Sequence, residues 1–84
     1  MFERKVLVKN TVGLHAKPAA MFVKKANEYK SLIWISRDDI VVNAKSLLGV
    51  LSLGVLGGVQ VKIKADGLDE ERAVEELIEF LENI

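Results

Sequence analysis

The stretch N-T-V-G-L-H-A-K-P-A-A, residues 10–20, gathers the chain's only histidine and only proline, with a glycine before the one and a lysine before the other. A neutral imidazole is a nucleophile, so a phosphoryl group can be parked on it and passed on. For that chemistry the residues around His15 are well chosen. Pro18 fits the first turn of a helix, where its missing N–H breaks no intrahelical bond. A helix starting at His15 or Ala16 would aim the free amides of Ala16 and Lys17, and the positive end of its dipole, at an anion carried by the ring. Lys17 adds a cation, and Gly13 can adopt a positive φ that turns the chain sharply into the helix. The same residues also suit a histidine that merely starts a helix on the surface, and spacing alone does not separate the two.

A second stretch, N-A-K-S-L-L-G-V-L at 43–51, could carry chemistry of another kind. Ser46 is a typical helix N-cap and Gly54 a plausible stop, which predicts a short helix between them. Leu47, Leu48, Val50, Leu51 and Leu53 occupy nearly every side of that helix. One helix cannot bury all its faces under a single sheet, so some of these leucines should be exposed, as a docking patch would be.

These stretches need a scaffold. Phe2, Val6 and Val8 share one face of a strand over 2–9, and a turn follows from Thr11 to Gly13. Ala19, Phe22, Val23 and Ala26 recur at helical spacing. S-L-I-W-I-S-R at 31–37 reads as a strand, turning at Asp38-Asp39 into I-V-V-N at 40–43. If Ile33 and Ile35 face inward, Leu32 and Trp34 lie outward. V-Q-V-K-I-K-A at 59–65 alternates as a strand with one wet face does. The last helix begins beside Asp69 as its cap, has Glu70 and Glu71 in its first turn, and buries Val74, Leu77, Ile78 and Leu81. The order is βαββαβα. It predicts an α+β fold with a four-stranded antiparallel sheet and helices on one face, in a single domain over 1–84.

Composition narrows the function. Half of the 84 residues are hydrophobic and the formal net charge is zero, which speaks against a general nucleic-acid binder. Residues 1–30 carry seven basic and two acidic side chains, and residues 65–84 one basic and eight acidic. With no cysteine and one histidine, neither a disulfide nor a structural metal site is expected. The longest apolar run, 47–59, is too short to span a bilayer, and no signal peptide is visible, so a cytoplasmic protein without membrane insertion is expected.

G-L-H-A-K-P-A-A at 13–20 resembles the active-site signature of HPr, the histidine-containing phosphocarrier of the bacterial sugar phosphotransferase system. V-N-A-K-S-L-L-G-V-L-S-L-G at 42–54 resembles that family's serine-site signature, and A-D-G-L-D-E-E at 65–71 the entry to its last helix. The resemblance spans essentially the whole chain. It implies an open-faced β-sandwich without a cofactor. Enzyme I, charged by phosphoenolpyruvate, would phosphorylate His15 on Nδ1, and His15 would donate to the IIA domains of sugar permeases. Partner docking would use Ala20, Met21 and Lys24 with Leu47, Leu48 and Leu51. In Gram-positive-type members a serine kinase/phosphorylase acts on the residue matching Ser46, and the product is a corepressor that meets a catabolite-control transcription factor. A monomer is implied.

Certain paralogues keep the serine signature without the histidine. This chain has His15, which disfavours the purely regulatory kind, though a regulatory binding module remains the alternative. The family usually has arginine where Lys17 stands, so the charge survives without the planar fork. It often has a small polar residue in place of Val12. Small RNA-binding domains share the order βαββαβ, but one strand tryptophan and zero net charge speak against them.

Overall fold

The computed structural model describes residues 1–9 and 13–84. The expected turn at Thr11 and Val12, and Val12's departure from the family pattern, lie outside the described residues. The elements are β1 (Phe2–Leu7), α1 (Ala16–Ala26), β2 (Leu32–Arg37), β3 (Ile40–Asn43), α2 (Leu47–Ser52), β4 (Gln60–Asp66) and α3 (Glu70–Glu82), the predicted order. Boundaries differ from expectation by a residue or two at the strand and helix ends.

Alternation builds the sheet. Every pairing is antiparallel, in the spatial order β1-β4-β2-β3. Val6 lies opposite Val61, and Ile63 opposite both Arg4 and Ile35. Val6, Val61, Ile63, Ile33 and Ile35 are buried beneath the helices, while Leu32 is 62% exposed on the far face, as the alternation predicts. Trp34 is half-buried on that face. The two-residue turn between β2 and β3 works because Asp38 accepts a φ of 54°, a conformation its short polar side chain tolerates.

The helices close the other side. Phe22 of α1 is fully buried, as are Ala73, Val74 and Leu77 of α3. Phe22 meets the Phe80 ring at 6.2 Å between centroids. Ile78 and Val23, expected in the core, are partly buried at its margin.

Asp69 sits at the N-cap position of α3, as expected, yet its side chain caps nothing. Its carboxylate instead accepts from the Lys30 amide at 2.9 Å and from the Ser31 amide and hydroxyl at 3.0 and 2.5 Å. The physical reason is competition. The first amides of α3 face one carboxylate, whereas the chain leaving α1 offers three converging donors with no secondary-structure partner. A clasp results between the α1–β2 connection and the start of α3. Gly67 completes it, since a Cβ there would fall 2.5 Å from the Ser31 hydroxyl.

The clasp has a pH signature. The Ser31 hydroxyl, followed by the Lys30 amide, holds the Asp69 carboxyl down to about 2, from an ordinary value of 3.8. A depressed folded-state value stabilises the fold above the unfolded value, and that contribution fades as pH falls from 3.8 towards 2. Asp69→Asn should therefore melt below the parent at pH 7, with the gap closing between pH 4 and pH 2. Thermal unfolding followed by circular dichroism across that range reads this directly. A gap independent of pH would contradict it.

Candidate functional site

His15 is the N-cap residue of α1, with extended backbone at φ −96° and ψ −171°. Its carbonyl takes the first helical hydrogen bond from the Ala19 amide at 2.8 Å. The amides of Ala16 and Lys17 thus precede the hydrogen-bonded ladder, and Pro18 has no amide to add. The imidazole makes no capping bond and is exposed. Lys17 is exposed beside it. The start of the helix, the Lys17 cation and the His15 imidazole are brought together, the placement expected from the sequence.

The ring's position is set from behind. Gly13 has φ +70°. A Cβ there would lie 2.2 Å from the Val55 carbonyl oxygen and 2.6 Å from the Leu56 Cα, so only glycine fits. The Leu14 amide donates to the Val55 carbonyl at 2.9 Å, and the Leu14 side chain is buried. Residues 13 and 14 are thereby clamped to the loop following α2, and His15 emerges just past the clamp. Nothing in the composition of V-L-G-G at 55–58 advertises this role.

In front of the ring lies an open groove of about 890 Å³ between α1 and α3. His15, Lys17, Pro18 and Met21 line one side, and Glu79 and Phe80 are among the residues of the other. Glu76 also borders it, held by the Tyr29 hydroxyl, by Arg72 at 3.4 Å and by Lys25 at 3.9 Å. The Tyr29 hydroxyl, with Arg72 and Lys25, pulls the Glu76 carboxyl below its ordinary value. Burial, followed by Glu76, pushes the Tyr29 hydroxyl up. The groove thus carries two acids, Glu76, ionised and tied to Tyr29, Arg72 and Lys25, and Glu79, which has no ion-pair partner among the described residues. Sequence reasoning missed this wall because no local pattern says that α1 and α3 lie side by side.

The serine site stands on the neighbouring helix. Ser46 is the N-cap of α2, and its hydroxyl accepts from the Gly49 amide at 3.1 Å. Gly54, at φ +65°, follows the C-cap, as expected. Of the leucines, Leu53 is buried together with Val50, while Leu47, Leu48 and Leu51 are exposed, Leu48 at 79%. Ala20, Met21 and Lys24 are exposed on α1, which packs against α2. Asn27 Nδ2 donates to the Lys45 carbonyl at 3.2 Å, and Lys45 Nζ to the Tyr29 carbonyl at 2.7 Å, fastening the end of α1 to the entry of α2. The apolar surface around Ser46 and the imidazole therefore belong to two adjoining helices. No helix among the described residues is long and apolar enough to cross a membrane.

Known proteins share the fold and much of the sequence. A family model described as the PTS HPr component phosphorylation site matches residues 2–83. The HPr-like protein Crh of Halalkalibacterium halodurans is 45% identical over 98% of both chains. Phosphocarrier protein HPr of Borreliella burgdorferi is 42% identical over 99% of this chain and 96% of its own. The crystal structure of HPr from Thermoanaerobacter tengcongensis superposes with a TM-score of 0.94 at 48% identity, covering 98% of this chain and 92% of that one. Crh of Bacillus subtilis, at 41% identity and a TM-score of 0.79 over 98% of this chain and 94% of its own, is a dimer with a swapped domain. Relatives thus include a dimer, and the monomer implied by the resemblance does not extend to all of them. With its fold, its helix-start histidine and its match over residues 2–83, the chain belongs to the HPr family of the phosphotransferase system, whose members are phosphocarriers rather than enzymes.

Proposed function

We propose that the protein works in the cytoplasm as a phosphocarrier, accepting a phosphoryl group on His15 from phospho-Enzyme I and giving it to the IIA domain of a sugar permease. The observation that carries this reading is an exposed imidazole with no capping bond at the start of α1, next to Lys17. A ring nitrogen attacks phosphorus as the bond to the donor breaks. The transferring group is loose, and its negative charge lies on three equatorial oxygens. The Ala16 and Lys17 amides and the Lys17 ammonium meet those oxygens. The protein supplies position and charge, which is most of what phosphoryl transfer asks of it. Ala20, Met21, Lys24, Leu47, Leu48 and Leu51 form the surface on which donor and acceptor dock in turn.

The test is a single transfer reaction. The protein is mixed with Enzyme I and phosphoenolpyruvate, and its intact mass is followed. One added phosphoryl group that is lost in acid and passes to a IIA domain supports the reading. No uptake by folded protein, beside a working carrier, contradicts it.

A second reading rests on the likeness to Crh and on the serine site. There the protein reports phosphorylation at Ser46 to a transcription factor. Phosphate on Ser46 would add about −1.5 to −2 charges at the N-terminus of α2, where the dipole tolerates them, so the fold should persist. The charge would fall among Leu47, Leu48 and Leu51 and oppose docking there. Ser46→Asp should slow phosphoryl acceptance from Enzyme I about tenfold without a change in far-UV circular dichroism. An unchanged initial rate would remove Ser46 from the docking surface.

A further inference from the structure

The face of the sheet turned away from the helices has no part in the site described above, yet it concentrates positive charge. The strand register sets two outward rows across it. One runs Glu3, Lys64, Trp34, Asn43, and the next Lys5, Lys62, Ser36, Val41. Lys5 and Lys62 stand directly opposite one another, an arrangement that costs stability in an antiparallel pair. Glu3 reaches Lys62 at 3.6 Å and offsets part of this. Lys64 has no ion-pair partner among the described residues. Beside these lysines lies a cavity of about 330 Å³ lined by Trp34, Ser36, Val41, Lys62 and Lys64, with Asp38 and Met1 at its walls.

We propose that this cavity binds a nucleoside di- or triphosphate, with the base against Trp34 and the phosphates between Lys62 and Lys64. Three features select that occupant. The two lysines are two residues apart on β4, so their side chains leave one face of the strand about 7 Å apart, a spacing that a di- or triphosphate covers. An indole offers the flat apolar surface on which a base stacks. The volume admits one small molecule rather than a strand or helix, and is of the size usual for small-ligand sites. An anion beside Lys62 would also offset the like charge of Lys5 opposite it, as Glu3 does in part. The proposal stands apart from the phosphocarrier reading and uses none of its residues.

The chain's single tryptophan is the reporter. Trp34 fluorescence and calorimetry are followed on titration with ADP, ATP, adenosine and pyrophosphate, with amide shifts mapped by NMR. ADP should bind saturably and tighter than adenosine or pyrophosphate, with shifts confined to β2, β3 and β4. Lys62→Gln/Lys64→Gln should weaken it at least about tenfold, and Trp34→Leu about tenfold by calorimetry. The double variant removes the like charge opposite Lys5 and loses only an exposed ion pair with Glu3, so its folding is not at risk. Four results overturn the proposal: no saturable binding, pyrophosphate binding as tightly as ADP, an acidic peptide binding more tightly than ADP, or shifts centred on His15 and the start of α1.

Discussion

His15→Ala should take up no phosphoryl group from phospho-Enzyme I, yet should unfold within about 0.5 kcal/mol of the parent. Both halves of this result follow from how the residue is held. The imidazole is exposed and caps nothing, so its removal breaks no hydrogen bond and empties no cavity. The first bond of α1 uses the His15 carbonyl, which alanine keeps. No second imidazole exists in the chain to stand in as acceptor. Intact mass after incubation with Enzyme I and phosphoenolpyruvate reads the first half, and urea unfolding the second. Residual acid-labile uptake by the variant would place the acceptor elsewhere. A large stability loss would mean that the imidazole is built into the fold.

Gly13→Ala has the opposite character. It changes no group that meets phosphate, but it should damage both stability and transfer. Alanine at φ +70° is strained, and its Cβ would sit inside contact distance of the Val55 carbonyl oxygen and the Leu56 backbone. Backbone atoms cannot swing aside as a side-chain end can. Strain and overlap together should cost about 2–6 kcal/mol. If residues 13 and 14 move off the Val55–Leu56 loop to relieve it, the ring is displaced by an ångström or so, and acceptance should slow about a hundredfold. Urea unfolding and initial transfer rates measure the two losses. A variant with parental stability would show that the clamp yields easily.

How far these features could be read in the sequence depends on the range of the interactions that make them. The Gly13 turn, the helix start at His15, the Ser46 cap and the clean alternation at 59–65 are local, and each was visible in neighbouring residues. So was the exposure of some apolar residues of α2, because the geometry of one helix forces it, though that geometry did not say that they would be Leu47, Leu48 and Leu51. What local pattern could not supply was partnership. Asp69 looked like a cap because it precedes a helix, but donors from 38 residues away take its carboxylate. The Val55–Leu56 loop looked like a connector, yet it fixes Gly13 and Leu14. The strand order β1-β4-β2-β3 decides that Lys5 and Lys62 face each other, and no periodicity within either strand reveals it.

The bond from the Leu14 amide to the Val55 carbonyl has a consequence in time as well as in space. Helix α2 has six residues, too few to hold together without its packing, and Val55 follows its C-cap by two positions. Whenever α2 opens to solvent, the loop that Leu14 leans on loosens with it. The two elements therefore belong to one cooperative opening unit. The Leu14 amide, two residues before α1 but far in sequence from α2, should trade its proton for deuterium at the pace of α2 rather than at the pace of α1. A single amide next to His15 would then act as a clock for the helix that Ser46 caps.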